Sequence, residues 1–141
     1  MKIIDENTVL VPPGMYVLGD PCYAVPDDEW SDLLHSCNYF SQPVGMACGK
    51  PVMAFDTAYG DGEYRDNNGF SYGVDAGLIG LVPVEIAKFG VYDDSRIVEF
   101  SSETLCTNVN GVMNFGVIVI DTLNDDGYDE DEFDEGFDDE A

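Results

Sequence analysis

The chain has 141 residues, of which 45% are hydrophobic and 12% aromatic, so it is long enough for one domain with a hydrophobic core. Its 29 acidic residues far outnumber its 5 basic ones, and the formal net charge at pH 7 is −24. Phosphate backbones and anionic lipids repel such a chain, which argues against direct binding of nucleic acid or membranes. Its charge favours basic protein surfaces as partners, including the nucleic-acid-binding grooves of other proteins.

The N-terminal segment and the cysteines indicate the compartment. MKIIDENTVLVPPG contains no apolar run long enough for a signal peptide, and no stretch of the sequence approaches a membrane span, so we expect a cytoplasmic protein. Cys22, Cys37, Cys48 and Cys106 lack the close pairing that is typical of zinc sites. We expect four reduced, mostly buried thiols, no metal and no other cofactor.

In the first half of the chain, strands are predicted on both sides of one helix. The expected strands are residues 7–11, 15–19 and 52–59. The helix should begin with Asp27 as its N-cap and end near residue 36. Its apolar residues recur at i, i+3, i+4 and i+7, so that one stripe should pack on a sheet with Trp30 as the anchor.

In the second half, two Asn-Gly pairs predict hairpins, because both residue types accept the positive φ angles of a tight turn. Asn68-Gly69 lies within the glycine-rich residues 55–83, and Asn110-Gly111 separates predicted strands at residues 105–109 and 112–120. The last strand is apolar on both faces near its end, which predicts a central place in a sheet. Further strands are expected at residues 78–82 and 96–101, and one helical turn at residues 83–90.

These elements predict a mainly β (α+β) domain over residues 1–123, with antiparallel sheets in a sandwich or barrel and one covering helix near residues 27–36. From residue 124 the sequence is too charged and too poor in apolar residues to fold alone, so we expect a disordered acidic tail over residues 124–141. The tail residues expected to contact a partner are Asp125, Asp126, Asp129, Glu130, Asp131, Glu132, Phe133, Asp134 and Glu135.

Motifs for catalysis or metal binding are weak. The acids between Asp61 and Asn68 alternate loosely as in a calcium loop, but their spacing is not that of an EF-hand. The single histidine, His35, is not accompanied by a recognisable nucleophile motif. The sequence contains no Gly-x-Ser-x-Gly nucleophile elbow, no Cys-x-x-Cys pair and no phosphate-binding loop. Acids near Cys22 should raise the pKa of its thiol, which argues against a nucleophilic role. We therefore expect a protein that is not an enzyme.

A binding site is conceivable where carboxylates and aromatic rings gather around the glycine-rich stretch. The candidate residues are Asp20, Tyr23, Tyr59, Asp61, Glu63, Tyr64, Asp66 and Asp75. Aromatic walls with carboxylates suit a polar or cationic small molecule, and Asp20 paired with Asp61 or Asp75 could support acid–base chemistry. The simpler interpretation is that these three aspartates cap strand ends, in which case each Asp→Asn change costs at most about 1 kcal/mol.

Two segments carry a family resemblance. GMYVLGDPCYAVPDDEW and TAYGDGEYRDNNGFSYGVDAGLIGLVP resemble a group of small, largely uncharacterised bacterial and phage proteins. Those proteins combine a Gly-Asp-Pro-Cys-Tyr-like turn, a Tyr-Gly-Asp-Gly-x-Tyr hairpin and a Val-Asp-x-Gly-x-Ile-Gly strand. The resemblance spans roughly Val11 to Glu85. It implies a β-rich fold, but no reaction or substrate.

Two functions from different classes fit the sequence. The first is a non-enzymatic, phage-encoded acidic protein of the host cytoplasm, which inhibits a host nucleic-acid-binding or defence protein by occupying its basic surface as a nucleic-acid mimic. The second is a small enzyme, or a small-molecule or metal binder, with its site around Asp20, Asp61 and Asp75. The sequence also leaves open that the acidity serves only solubility, and whether the protein is a monomer or a dimer.

Deleting residues 124–141 should leave the melting temperature unchanged or raise it slightly, because the deletion removes like charges that repel one another and too few apolar groups to matter for the core. Thermal unfolding of the full and truncated chains, followed by circular dichroism, measures this. Loss of cooperative unfolding after truncation would mean that the tail is part of the folded domain.

Overall fold

Several strands bury every second side chain, the pattern expected where one face of a sheet lies on a core. A computed structural model describes residues 1–88 and 95–123. The strands are β1 (Lys2–Asp5), β2 (Thr8–Val11), β3 (Gly14–Gly19), β4 (Val44–Ala47), β5 (Lys50–Asp56), β6 (Gly62–Arg65), β7 (Ser71–Val74), β8 (Leu78–Pro83), β9 (Arg96–Phe100), β10 (Thr104–Val109), β11 (Val112–Phe115) and β12 (Ile118–Asp121), and the helices are α1 (Pro21–Ala24) and α2 (Asp27–Ser36). The predicted fold class is confirmed, with 50% of the described residues in strands and 12% in helices.

The described strands form three antiparallel sheets, none of which closes into a barrel. The first sheet has the order β1-β2-β10-β11-β12, the second has the order β4-β5-β8-β3-β9, and β6 and β7 form a separate hairpin. The two large sheets contribute to one core, with Val9 and Phe115 from the first and Leu18 and Leu81 from the second. The prediction left a sandwich and a barrel open, and the architecture is a sandwich.

A second core lies on the opposite face of the second sheet, where the helices cover it. Leu33 of α2 packs there with Val52 and Val82. A Cβ added to Gly45 would lie only 2.8 Å from Leu33 Cδ1, so the missing side chain lets α2 rest directly on β4. The covering helix is confirmed.

Three details of the helices differ from the sequence-based expectation. Leu33, with no exposed surface, is the anchor of α2, whereas Trp30 is only half-buried. Pro26 occupies the N-cap position and makes no side-chain bond, and Asp27 is the first helical residue. The short helix α1 was not predicted, because its four residues PCYA offer no apolar period.

Two strand predictions were wrong or missing. Strand β1 was not predicted, since all four of its residues are exposed and show no alternation. The strand expected over residues 112–120 is two strands, because Gly116 adopts a φ of 73° and the chain reverses there. β12 therefore lies at an edge of the first sheet and not in its centre.

The two Asn-Gly pairs behave differently. Asn110 and Gly111 have φ angles of 54° and 95°, so the predicted two-residue hairpin between β10 and β11 is confirmed. In the other pair only Gly69 has a positive φ, 85°, and the β6–β7 connection is a longer loop over residues 66–70. The hairpin forms there, but the tight Asn-Gly turn expected of it was wrong.

Some expectations fall beyond the part of the chain that the structure describes. The acidic tail with its expected contact residues lies outside the described residues, as do residues 89–90 of the expected helical turn. Residues 84–86 form a turn and not a helix. No helix within the described ranges is long and apolar enough to cross a membrane.

Candidate functional site

Asp20 joins the Asp-Pro-Cys-Tyr turn to the loop after β7. Its side chain is completely buried. One carboxylate oxygen accepts a hydrogen bond from the backbone N–H of Cys22 at 3.0 Å and so caps α1. The other accepts from the N–H groups of Asp75 at 2.8 Å and Ala76 at 2.6 Å. Three backbone donors thus compensate for removing this carboxylate from water.

The glycine-rich corner folds against the same loop. Thr57 donates its backbone N–H to Gly77 O at 3.0 Å and its hydroxyl to Gly60 O at 2.6 Å. Tyr64, buried in the core, donates its hydroxyl to the same Gly60 carbonyl at 3.0 Å. The two motifs singled out in the sequence therefore meet in space, with the residue 75–77 loop between them.

Asp66 is the second buried carboxylate and organises the β6–β7 loop. Its Oδ1 accepts from the backbone N–H groups of Asn68 at 2.8 Å and Phe70 at 2.9 Å. Its Oδ2 accepts from the hydroxyl of Tyr72 at 2.7 Å and from Arg96 Nη1 at 3.1 Å. Burial alone would raise the pKa of Asp66, but these hydrogen bonds outweigh it and hold the pKa below its ordinary value.

The remaining candidate residues are mostly exposed and line none of three surface clefts in the described part of the chain. Asp61, Glu63 and Asp75 are exposed, Tyr59 is 60% exposed, and Tyr23 is half-buried. Surface clefts of about 220, 460 and 380 Å³ are lined by other parts of the chain and by none of the eight candidates. The structure thus brings the candidates into one region, but their carboxylates form two groups. Asp20 and Asp66 are buried and accept backbone hydrogen bonds, whereas the other carboxylates are exposed to water.

Two residues of this region were not among the candidates. Asp56 ends β5 beside Thr57. The residue is exposed, but neighbouring protein atoms partly desolvate its carboxyl group and so raise its pKa. Its place at the end of a predicted strand was a signal that could have added it. Arg96 binds Asp66 from 30 residues away and stacks over Phe70 with its guanidinium carbon 5.7 Å from the ring centre. No local pattern in the sequence indicates that pairing.

The thiols are poorly suited to nucleophilic chemistry. All four cysteines are free, with Cys37 and Cys106 buried, Cys22 half-buried and Cys48 exposed, so only two match the expectation of buried thiols. Burial, followed by the charge of Asp20, raises the pKa of Cys22 to about 12.

His35 is exposed, and its Nε2 lies 3.2 Å from the hydroxyl of Tyr39. Within residues 1–88 and 95–123, no three His, Cys, Asp or Glu side chains are grouped to hold a metal ion.

The Asp20→Asn substitution should destabilise the protein by about 2–4 kcal/mol, because the amide has one accepting oxygen and its NH₂ group would face backbone donors. This exceeds the cost of about 1 kcal/mol expected for a simple cap. Urea unfolding measures the difference. Asp75→Asn, which changes an exposed side chain of the same loop, is the matched control and should leave the midpoint nearly unchanged; equal effects would contradict the role given to Asp20.

The Asp66→Asn substitution should remove a pH-dependent part of the stability. A carboxyl group whose pKa is lowered by folding stabilises the protein above its unfolded pKa of about 3.9, and this stabilisation is lost as the pH falls through the lower folded value. The melting-temperature gap between wild type and Asp66→Asn should therefore be constant above about pH 5 and narrow below about pH 4. Asp61→Asn is the control for loss of one acidic side chain. A gap that does not change with pH would contradict the lowered pKa.

Comparisons with known proteins did not extend these observations to a family. Neither the protein-family models, nor the curated proteins, nor the solved structures yielded a match. The functional argument therefore depends on the geometry and the charge of this chain.

Proposed function

We propose that this protein is a non-enzymatic binding protein that places its carboxylates on a basic surface of another protein, as a nucleic acid would. The observation that supports the proposal is the position of the acids. Of the sixteen acidic residues within the described ranges, two are buried and one is half-buried. The thirteen exposed ones are Asp5, Glu6, Asp27, Asp28, Asp32, Asp56, Asp61, Glu63, Asp75, Glu85, Glu99, Glu103 and Asp121.

Few cations compensate for these carboxylates. The whole chain has only five basic residues. Two ion pairs lie within the described part of the chain. Lys88 Nζ lies 2.9 Å from Asp27, and Arg96 Nη1 lies 3.1 Å from Asp66. The remaining negative potential steers a basic partner towards the surface and helps to hold it, in a manner that salt weakens.

The exposed acids Asp56, Asp61, Glu63 and Asp75 form what we call the corner patch. Because Gly62 pairs with Val74 across the hairpin, the preceding Asp61 and the following Asp75 lie side by side at its open end. The backbone beneath them is fixed by the Asp20 and Thr57 hydrogen bonds, so the patch is presented on a rigid base. A rigid array loses little conformational entropy when a partner binds.

A small-molecule or catalytic site around Asp20, Asp61 and Asp75 has less support from the geometry. Both oxygens of Asp20 already accept backbone hydrogen bonds, and Asp61 and Asp75 are exposed. We propose as the partner a host nucleic-acid-binding or defence protein, whose groove presents Lys and Arg to phosphates.

The test is capture from host lysate on immobilised protein, with elution by duplex DNA and, separately, by salt. The expected partners are nucleic-acid-binding proteins that both eluents release. Replacing the corner patch by Asp56→Asn, Asp61→Asn, Glu63→Gln and Asp75→Asn, singly and together, should weaken their binding in proportion to the charge removed.

The matched control removes the same number of charges elsewhere, with Asp5→Asn, Glu6→Gln, Glu99→Gln and Glu103→Gln. It should weaken binding less than the corner variant. Captured proteins that DNA does not displace would contradict the proposal. So would a single corner substitution that abolishes binding and leaves the fold intact, because that result indicates a specific site and not a charge array.

A further inference from the structure

The outer face of the first sheet has a different character from the rest of the surface. Its inner face lies on the main core, whereas no described helix or strand covers the outer one. The burial alternation of β2, β10, β11 and β12 assigns to the outer face Thr8, Leu10, Leu105, Thr107, Val109, Val112, Asn114 and Val119. Leu105 and Val109 are 52% and 62% exposed.

The strand register arranges these side chains in three rows across the sheet. Leu10 pairs with Leu105, and Val109 pairs with Val112. The middle row consists of Thr8, Thr107, Asn114 and Val119. Within β2, β10 and β11 the rows contain only apolar and neutral polar side chains, although the chain carries a net charge of −24.

Charged residues of this sheet lie at its edges. Lys2 on β1 pairs with Leu10, and Asp5 on the same strand pairs with Thr8. Asp121 on β12 pairs with Val112. Lys2 and Asp121 therefore occupy diagonally opposite corners of the face and carry opposite charges.

We propose that two copies of this chain pair through this outer face, with their strands crossing at about 90° about a two-fold axis. A second copy has the right chemistry, since a basic partner would find only the edge carboxylates of Asp5 and Asp121, and another acidic chain meets the least repulsion over the neutral centre of the face. This proposal is independent of the proposed function, which concerns the acidic surface.

The crossed arrangement follows from the corner charges. Five strands about 4.8 Å apart span about 19 Å, and the three rows span about 14 Å along the strands, so the two dimensions of the face are similar enough for strands to cross. One of the crossed two-fold packings then places Lys2 of each copy beside Asp121 of the other. Aligned packing about an axis along the strands would instead leave Lys2 and Asp121 apart, because it superposes positions of the same row and these two residues lie in different rows.

The size and charge of the face define how the dimer should behave. The face is smaller than the roughly 800 Å² per partner of a standard interface, so the dimer should be weak. Salt should strengthen it, because screening reduces the repulsion between two strongly acidic chains. Binding of a basic partner through carboxylates has the opposite salt dependence, so failure of one proposal is distinguishable from failure of the other.

The experiment is sedimentation equilibrium of the full chain from about 1 to 500 μM at low and high salt. We expect a monomer–dimer equilibrium that shifts towards the dimer at high salt. Leu105→Asp should abolish the dimer, because it buries a charge in the rows. Ile97→Asp, the same change at an exposed isoleucine of β9 in the other sheet, should leave it intact.

Charge reversal tests the crossing. Lys2→Glu or Asp121→Lys alone should raise the dissociation constant of the dimer about threefold to tenfold, since each change creates two like-charge contacts. The double variant should restore the wild-type value, and circular dichroism checks that every variant folds. A chain that stays monomeric at every concentration, a dimer that survives Leu105→Asp, or a double variant that does not recover would overturn the proposal.

Discussion

The buried carboxylate of Asp20 holds together two segments that are about 55 residues apart in sequence. A carboxylate loses strong hydration on burial, and it is tolerated here because both oxygens accept backbone N–H groups. The same bonds start α1 and fix the loop that leads into β8. The carbonyl of Ala24, the last residue of α1, in turn accepts the N–H of Lys88 at 2.8 Å. The short helix α1 and the loop before β8 are thus positioned by this one side chain.

A chain with a net charge of −24 can fold this way because its charge is segregated. The two buried carboxylates lie where backbone donors or Arg96 compensate for them, and thirteen other acids of the described residues face water. The core and the centre of the outer face of the first sheet contain apolar and neutral polar side chains. Self-repulsion therefore acts mainly across solvent, where it is screened, and costs less stability than the net charge alone suggests.

The sequence predicted local structure correctly where a local pattern is compatible with only one conformation. Asn110-Gly111 predicted its hairpin because both residues accept positive φ, and the apolar stripe around Leu33 predicted α2. It was uninformative where the cause is distant. β1 has no buried face to reveal it, and the reversal at Gly116 was hidden within an apolar run. For the candidate site, composition identified the right region, but only the fold shows that Asp20 and Asp66 are bound internally while Asp61 and Asp75 face water.

The two proposed surfaces have consequences for each other. The corner patch lies at the end of the sandwich, beside the Asn110-Gly111 turn, where the side-chain amide of Asn108 donates to Asp56 O at 3.1 Å. It is not on the outer face of the first sheet, so pairing through that face leaves the corner patch of each copy uncovered. A dimer would then present two carboxylate arrays related by a two-fold axis, and two linked contacts bind a two-fold symmetric partner more tightly than one. Many proteins that bind duplex DNA have that symmetry. Such a partner would stabilise the weak dimer by mass action, even at the salt concentrations where each single contact is weak.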